Sequence, residues 1–226
     1  MITVADLSKS YGNKEVLTGI NIQLETGKIY GIVGENGSGK TTLFKCIAGL
    51  ESYSGQVLTT VGRLKDTLGY LQTEPYFFPR ITGREYIQLL CNARKTAAGS
   101  IDDKNIFDLP LDQYATTYST GMKKKLALTA LLLQENNVFI LDEPFNGVDI
   151  QSNVIIHEII ERLKAMGKTL LISSHIFSTL NNTCDSIFLL SAGKLVRRVE
   201  RYEFDALEKE MKDVFVGNKI DRLQLK

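Results

Sequence analysis

Lys28 to Leu50 reads KIYGIVGENGSGKTTLFKCIAGL. The first six residues are almost continuously apolar, which is how a strand covered on both faces reads. Leu43, Ile47 and Leu50 then recur at helical spacing. Between strand and helix lies Gly34 to Thr41, GENGSGKT, which fits the phosphate-loop pattern G-x-x-x-x-G-K-T. Gly34, Gly37 and Gly39 let the backbone curl until successive N–H groups point at phosphate oxygens, with Glu35, Asn36 and Ser38 completing the loop. Lys40 neutralises the outer phosphates, the Thr41 hydroxyl can ligate Mg²⁺, and Thr42 stands beside it. A glycine-rich turn ahead of a helix is the plainer reading, and the buried strand in front of this one argues against it.

Working outward, residues 1–27 alternate apolar and polar over short runs, which predicts antiparallel strands with Asn13 and Gly19 near the turns. Thr67 to Leu71 predicts a short strand ending at Gln72. From Thr73 the character changes: two prolines precede helical spacing at Tyr86, Leu89, Leu90 and Ala93, so a mostly helical lobe is expected over 73–125, with a loop over 95–104. NVFILDEP reads as a buried strand ending in two acids and a proline. Ile155, Ile159 and Leu163 mark a helix from Ile150 to Met166, Lys168 to Ser173 and Ser186 to Leu190 are apolar strands, and Ser191 to Gly193 turns a hairpin into KLVRRV. The charged segment 202–226 predicts a short helix and a strand. Strands alternating with helices predict an α/β fold with a mostly parallel sheet.

Asp142, at the carboxyl end of the NVFILDEP strand, is placed to hold Mg²⁺ through water. Glu143 follows at the strand tip, where it can orient or deprotonate an attacking water as general base. Alone, the pair would read as a solvated turn closed by Pro144; the phosphate loop upstream makes it a candidate catalytic pair.

A net charge of +1 implies no general polyanion binding, so any anion site is a local arrangement. Cys46, Cys91 and Cys184 are too far apart for a CxxC pair, and with an odd count and no signal peptide they read as reduced cytosolic thiols. The apolar run from Leu126 to Leu133 is far short of the roughly 18 residues that a membrane span needs. Work at a membrane is therefore expected to go through a partner.

Taken in order, GENGSGKTT, Gln72, YSTGM (Tyr118 to Met122), ILDEP, NGVD (Asn146 to Asp149) and the SSH ending at His175 resemble the motifs of the nucleotide-binding subunit of an ATP-binding cassette (ABC) transporter. The resemblance runs from Met1 to about Arg201, and the FPRITGREYIQLL and YSTGMKKKL forms are most similar to subunits that drive bacterial ABC-2 type exporters. It implies a phosphate-loop NTPase (RecA-like) core formed by 1–72 and 126–201, with an N-terminal antiparallel β-subdomain, an inserted α-helical subdomain over 73–125 and a short extension over 202–226. It implies ATP and Mg²⁺ as cofactors and ATP hydrolysis as the activity. The implied partners are a second nucleotide-binding subunit, paired head to tail as a homodimer or heterodimer, and a transmembrane permease that holds the chain at the cytoplasmic face of the membrane, with export as the direction.

Residue by residue, Tyr11 resembles the aromatic that stacks on adenine, although a strand-end core tyrosine reads the same way. Gln72 matches the residue that touches Mg²⁺ and the attacking water, His175 the switch histidine at the γ-phosphate, and Asp149 the acid that joins the two sites across the dimer. Ser119 and Gly121 match the signature positions that offer a hydroxyl and an N–H to ATP held by the opposing subunit. Thr120 and Met122 depart from the usual LSGGQ, where glycine and glutamine stand.

Tyr76, Phe77 and Phe78 suit either an apolar socket for a permease helix or the interior of the helical lobe. Lys123, Lys124 and Lys125 stand near a helix amino end that already carries roughly half a positive charge, and a solvated helix face is expected for at least two of them. His157, inside a helix, reads as a surface residue. The alternative function is a soluble non-transport ABC-type ATPase acting on ribosomes or nucleic acid. One cassette, no heptad insertion and no basic surplus weigh against it, so no nucleic-acid partner is expected.

Overall fold

The computed structural model describes residues 1–60 and 62–209. Strands β1 (Ile2–Tyr11) and β2 (Lys14–Leu24) pair antiparallel through a turn at Gly12 and Asn13. Gly19, expected near a turn, lies inside β2 instead. Its φ is +58°, its N–H donates to Ser8 Oγ, and the register shifts around it, so it marks a bulge. Strand β3 (Ile29–Val33) is buried at every position and feeds the glycine loop and helix α1 (Lys40–Ile47). Strand β4 (Ser54–Thr59) then joins β1, giving a three-stranded antiparallel sheet of order β2-β1-β4.

Next come β5 (Leu68–Leu71), α2 (Gly83–Ala93), α3 (Thr120–Leu133), β6 (Val138–Asp142), α4 (Ile150–Ala165), β7 (Thr169–Ser174), β8 (Ser186–Ser191) and β9 (Lys194–Glu200). They build a second sheet of order β5-β6-β7-β3-β8-β9, parallel throughout except for the closing hairpin partner β9. Between Thr73 and Lys125 the regular structure is α2, a 3₁₀ turn at Ala115–Thr117 and the start of α3, joined by turns and loops. Helical structure covers 204–209, and the strand expected in the tail lies outside the described residues.

The side-chain period of two sorts the parallel sheet onto two cores. Ile29, Val33, Phe139, Leu141, Leu170 and Ile172 pack with α2, α3 and α4. Tyr30, Ile32, Val138, Ile140 and Leu171 face α1 and the antiparallel sheet. The same alternation points Asp142 toward α1. All three cysteines are free and buried, and burial pushes the Cys46 thiol up to about 11, which leaves it protonated and unreactive.

Helix α2 opens with a reciprocal capping box between Thr82 and Glu85. Its inner face is Tyr86, Ile87 and Cys91 with Leu90 partly covered, whereas Leu89 and Ala93, expected inside, are exposed. The helix spans the residues whose spacing predicts it, but its buried stripe is rotated by about one position. The three aromatics before it divide between interior and surface. Phe77 is buried against Tyr86, ring centroids 4.5 Å apart, while Tyr76 and Phe78 are exposed and meet edge to face at 5.4 Å. Phe77→Ala is expected to destabilise the chain by about 3 kcal/mol. Tyr76→Ala and Phe78→Ala should each stay within about 0.5 kcal/mol by denaturant unfolding.

Candidate functional site

Register sets the site. Val33 pairs with Ser174 and Asp142 with Ser173, so β3, β7 and β6 end level and the loops leaving them share one rim. Ligands collect at the carboxyl ends of such strands. A cleft of about 450 Å³ opens there, bounded by the glycine loop and the first turn of α1, by Glu143 and Asn146 after β6, and by His175 after β7. Val16 and Thr73 close its sides.

The glycine loop is bound to its surroundings at close range. A Cβ added at Gly34 would stand 2.2 Å from the Leu190 carbonyl oxygen and 2.6 Å from Ser38 Oγ. The Gly193 N–H donates to the Ser38 carbonyl at 3.1 Å, which fastens the loop to the β8–β9 hairpin. Ser38 Oγ is buried, with no hydrogen-bond partner in the described structure. Lys40 Nζ donates to the carbonyls of Gly34 (2.7 Å) and Glu35 (3.3 Å) and lies 3.6 Å from Glu143 Oε1. The amino end of α1 has no side-chain cap and no acid in its first turn, so its leading N–H groups and dipole remain available to an anion. Asn36, Gly37, Gly39, Lys40, Thr41 and Thr42 line the cleft, and Glu35 lies outside its lining.

Asp142 is fully buried. Its Oδ2 accepts from Thr41 Oγ1 and Thr73 Oγ1, each at 2.7 Å, and its Oδ1 from Ser173 Oγ at 2.5 Å. Glu143 adopts a left-handed backbone, φ +50°, at a cost of about 1–2 kcal/mol for a residue with a side chain. Its N–H donates to Ser173 Oγ at 2.9 Å, and its Oε2 lies 2.9 Å from His175 Nδ1. An ionised carboxylate only accepts, so the ring nitrogen is the donor in that state.

Two of the three lysines depart from their expected role. Lys124 is 2% exposed, and its Nζ donates to the carbonyls of Glu143 and Asn146, each at 2.7 Å. Lys125 has a side chain 13% exposed and pairs with Asp149 Oδ2 at 3.1 Å and Ser152 Oγ at 3.2 Å. A solvated face therefore holds for neither. Their cations are satisfied by the carbonyl-rich turn 143–149 and the acid that ends it, which lie against the amino end of α3. Burial pushes the Lys124 ammonium pKa down, while the carboxylates of Glu143, Asp142 and Glu74 act to raise it. His157 is likewise no free surface residue: it is half-buried and stacks on Phe145 at 4.3 Å and 19°, and burial lowers its pKa.

The remaining expected residues lie around the cleft without lining it. Tyr11 ends β1 and is 45% exposed, with Lys9 Nζ 4.7 Å from its ring centroid, so it is not a core tyrosine. Gln72 is half-buried beyond β5, and its neighbour Thr73 takes the cleft position. No sequence pattern marks Thr73; only the reach from the end of β5 to Asp142 does. Ser119 is exposed and caps α3, accepting from the Met122 N–H at 3.2 Å. A Cβ at Gly121 would meet the Gly147 carbonyl oxygen at 2.7 Å, so α3 packs directly on the 143–149 turn. Asp149 caps α4 through the Ser152 N–H at 2.8 Å.

A glycine loop between a buried parallel strand and an uncapped helix, with its lysine beside the second of two consecutive acids at the end of β6, defines a phosphate-loop nucleoside triphosphatase. The family model described as ABC transporter matches residues 17–146, more than half of the chain, and the chain belongs to that family. It is 31% identical over 218 residues to the ABC transporter ATP-binding protein NatA of Bacillus subtilis (strain 168), covering 88% of this chain and 89% of that one. It is 30% identical over 217 residues to the lantibiotic transport ATP-binding protein SrtF of Streptococcus pyogenes, covering 88% and 91%. A solved ATP-binding subunit of an ABC transporter superposes with a TM-score of 0.78 over 93% of both chains at 26% identity. The protein is thus an ATP-binding, ATP-hydrolysing subunit that powers substrate movement by a separate membrane permease. No helix among the described residues is long and apolar enough to cross a membrane.

Two glycines test the loop. At Gly37 a Cβ meets nothing within 4 Å but φ is +83°, so Gly37→Ala should cost about 1 kcal/mol in denaturant unfolding. At Gly34 the obstacle is a main-chain oxygen that no rotamer change can clear, so Gly34→Ala should cost about 3 kcal/mol and weaken ATP binding by titration calorimetry.

Proposed function

We propose that Glu143 is the general base for attack of water on the γ-phosphorus of ATP, in a site completed by a second nucleotide-binding subunit. The observation that carries this reading is the Glu143 carboxylate itself, held between Lys40 Nζ at 3.6 Å and His175 Nδ1 at 2.9 Å beside the uncapped amino end of α1. The loop N–H groups and Lys40 would bind the phosphates, with Gly34 to Thr42 following their outline. Glu143 takes the proton from water as the new O–P bond forms, and the bond to the bridging oxygen breaks to release ADP. His175 orients the carboxylate, Gln72 approaches the attacking water, and Tyr11 stacks on the adenine.

The donors around Asp142 fit Mg²⁺. They are oxygens of Thr41, Thr73 and a carboxylate, hard ligands without thiol or imidazole among them. Thr41 would hold the ion directly and Asp142 through water, with Gln72 nearby. Bound there, the ion would supply charge neutralisation at the outer phosphate oxygens.

Ser119 and Gly121 lie outside the cleft, and the Ser119 side is exposed, which supports their serving ATP on an opposing subunit, homologous or identical, in a head-to-tail pair. Asp149 would join the two sites. The exposed pair Tyr76 and Phe78 supplies aromatic anchors for the permease, which would hold the subunit at the cytoplasmic face of the membrane. The FPRITGREYIQLL and YSTGMKKKL forms support export as the direction. No observation favours ribosomes or nucleic acid as the target.

Glu143→Gln should preserve binding of ATP with Mg²⁺ and lower kcat by about 10²- to 10⁴-fold. It should also accumulate an ATP-dependent dimer by size-exclusion chromatography; undiminished turnover would remove Glu143 from the role. Replacing Tyr76 and Phe78 together by Ala should strip the permease from the subunit on affinity purification without shifting its Tm, and unchanged recovery would place the permease contact elsewhere.

A further inference from the structure

Glu143 is held at both of its peptide groups by side chains from two other elements. Ser173 of β7 accepts from its N–H, and Lys124 of α3 donates to its carbonyl. The same ammonium donates to the Asn146 carbonyl, and the Asn146 N–H returns to the Glu143 carbonyl at 3.2 Å, closing a small turn around one cation. Asn146 lines the cleft together with Glu143. Both hydrogen bonds described for Lys124 Nζ thus go to main-chain carbonyls of the segment that carries the candidate base. Burial of a lysine is unfavourable unless its donors are used, and here they are used on a backbone that departs from the ordinary.

We propose that Lys124 is a positioning residue for ATP hydrolysis: by gathering the carbonyls of Glu143 and Asn146 it keeps Glu143 in its left-handed turn and so keeps the carboxylate between Lys40 and His175. The inference rests on Glu143 being the general base. It gives the signature helix a second task. Ser119 caps α3 and Lys124 follows on the same helix, so a displacement of its amino end carries the clamp, and with it the base. Lys125, paired with Asp149, ties the far end of the same turn to the same helix. The catalytic carboxylate is thereby linked to the element that would contact the opposing ATP.

The test uses the full chain with ATP and Mg²⁺. Lys124→Met keeps the buried stem and removes the donors; kcat is expected to fall about tenfold or more while KM and the equilibrium affinity for ATP stay within about threefold. Lys124→Arg, which restores charge and donors, should recover part of the lost kcat. In the Glu143→Gln background, Lys124→Met should have no further effect, because the group it positions is already gone. A kcat within about twofold of the parent in Lys124→Met overturns the proposal, as does an equal further loss in the Glu143→Gln background, which would mark Lys124 as merely structural. If the methionine chain fails to fold, Lys124→Gln, polar but one chain atom too short to reach both carbonyls, replaces it with a kcat loss of about threefold or more expected, and unchanged kcat there is equally fatal. Full turnover in Glu143→Gln alone would instead refute the base assignment, so the two failures are distinguishable.

Discussion

The buried carboxylate of Asp142 holds the site together. A charge with no exposure must be satisfied completely, and this one takes hydroxyl donors from three directions: α1, the segment beyond β5, and β7. Each donor fixes an element. Thr41 sets the first turn of α1 against the strand tips, Thr73 brings the segment beyond β5 to the rim, and Ser173 locks β7 to β6 in the pairing that levels their ends. Through its oxygen Ser173 also receives the Glu143 N–H, so one hydroxyl orients two consecutive acids. Moving the Asp142 carboxylate would loosen the helix, the strand pair and the rim together.

Features governed by local spacing are legible in the amino-acid sequence. The strand, glycine loop and helix of 28–50 follow from an apolar run, a φ-permissive loop and a helical repeat, and the parallel sheet follows from the alternation of strands and helices. Where tertiary contacts decide, the sequence is legible only in part. The α2 pattern locates the helix but not its buried stripe, because packing against α3 decides which side is covered, as where Cys91 Sγ meets the Leu133 carbonyl. Three adjacent aromatics with the same local character divide between interior and solvent, since Phe77 alone reaches Tyr86. Gly19 marks a bulge rather than a turn, and the difference lies in the partner Ser8.

The lysines show the limit most sharply. A cation near a helix amino end looks misplaced on a one-dimensional view, and exposure to water is the cheapest local remedy. In three dimensions, the carbonyls of the 143–149 turn lie against that helix, and they solvate the ammonium in place of water. The close approach has its own requirement at Gly121, where a side chain would press on the Gly147 carbonyl. Gly121 therefore has a packing role within its own subunit.

The fastening of the glycine loop to the β8–β9 hairpin bears on how the chain is made. Gly34 lies against the Leu190 carbonyl and Ser38 accepts from the Gly193 N–H, so contacts that shape a loop near the start of the chain come from residues synthesised long after it. A nascent chain emerging from its amino end carries the loop sequence well before it has the hairpin that braces it. The brace around the loop is thus complete only once Gly193 has been made, after both acids and the histidine.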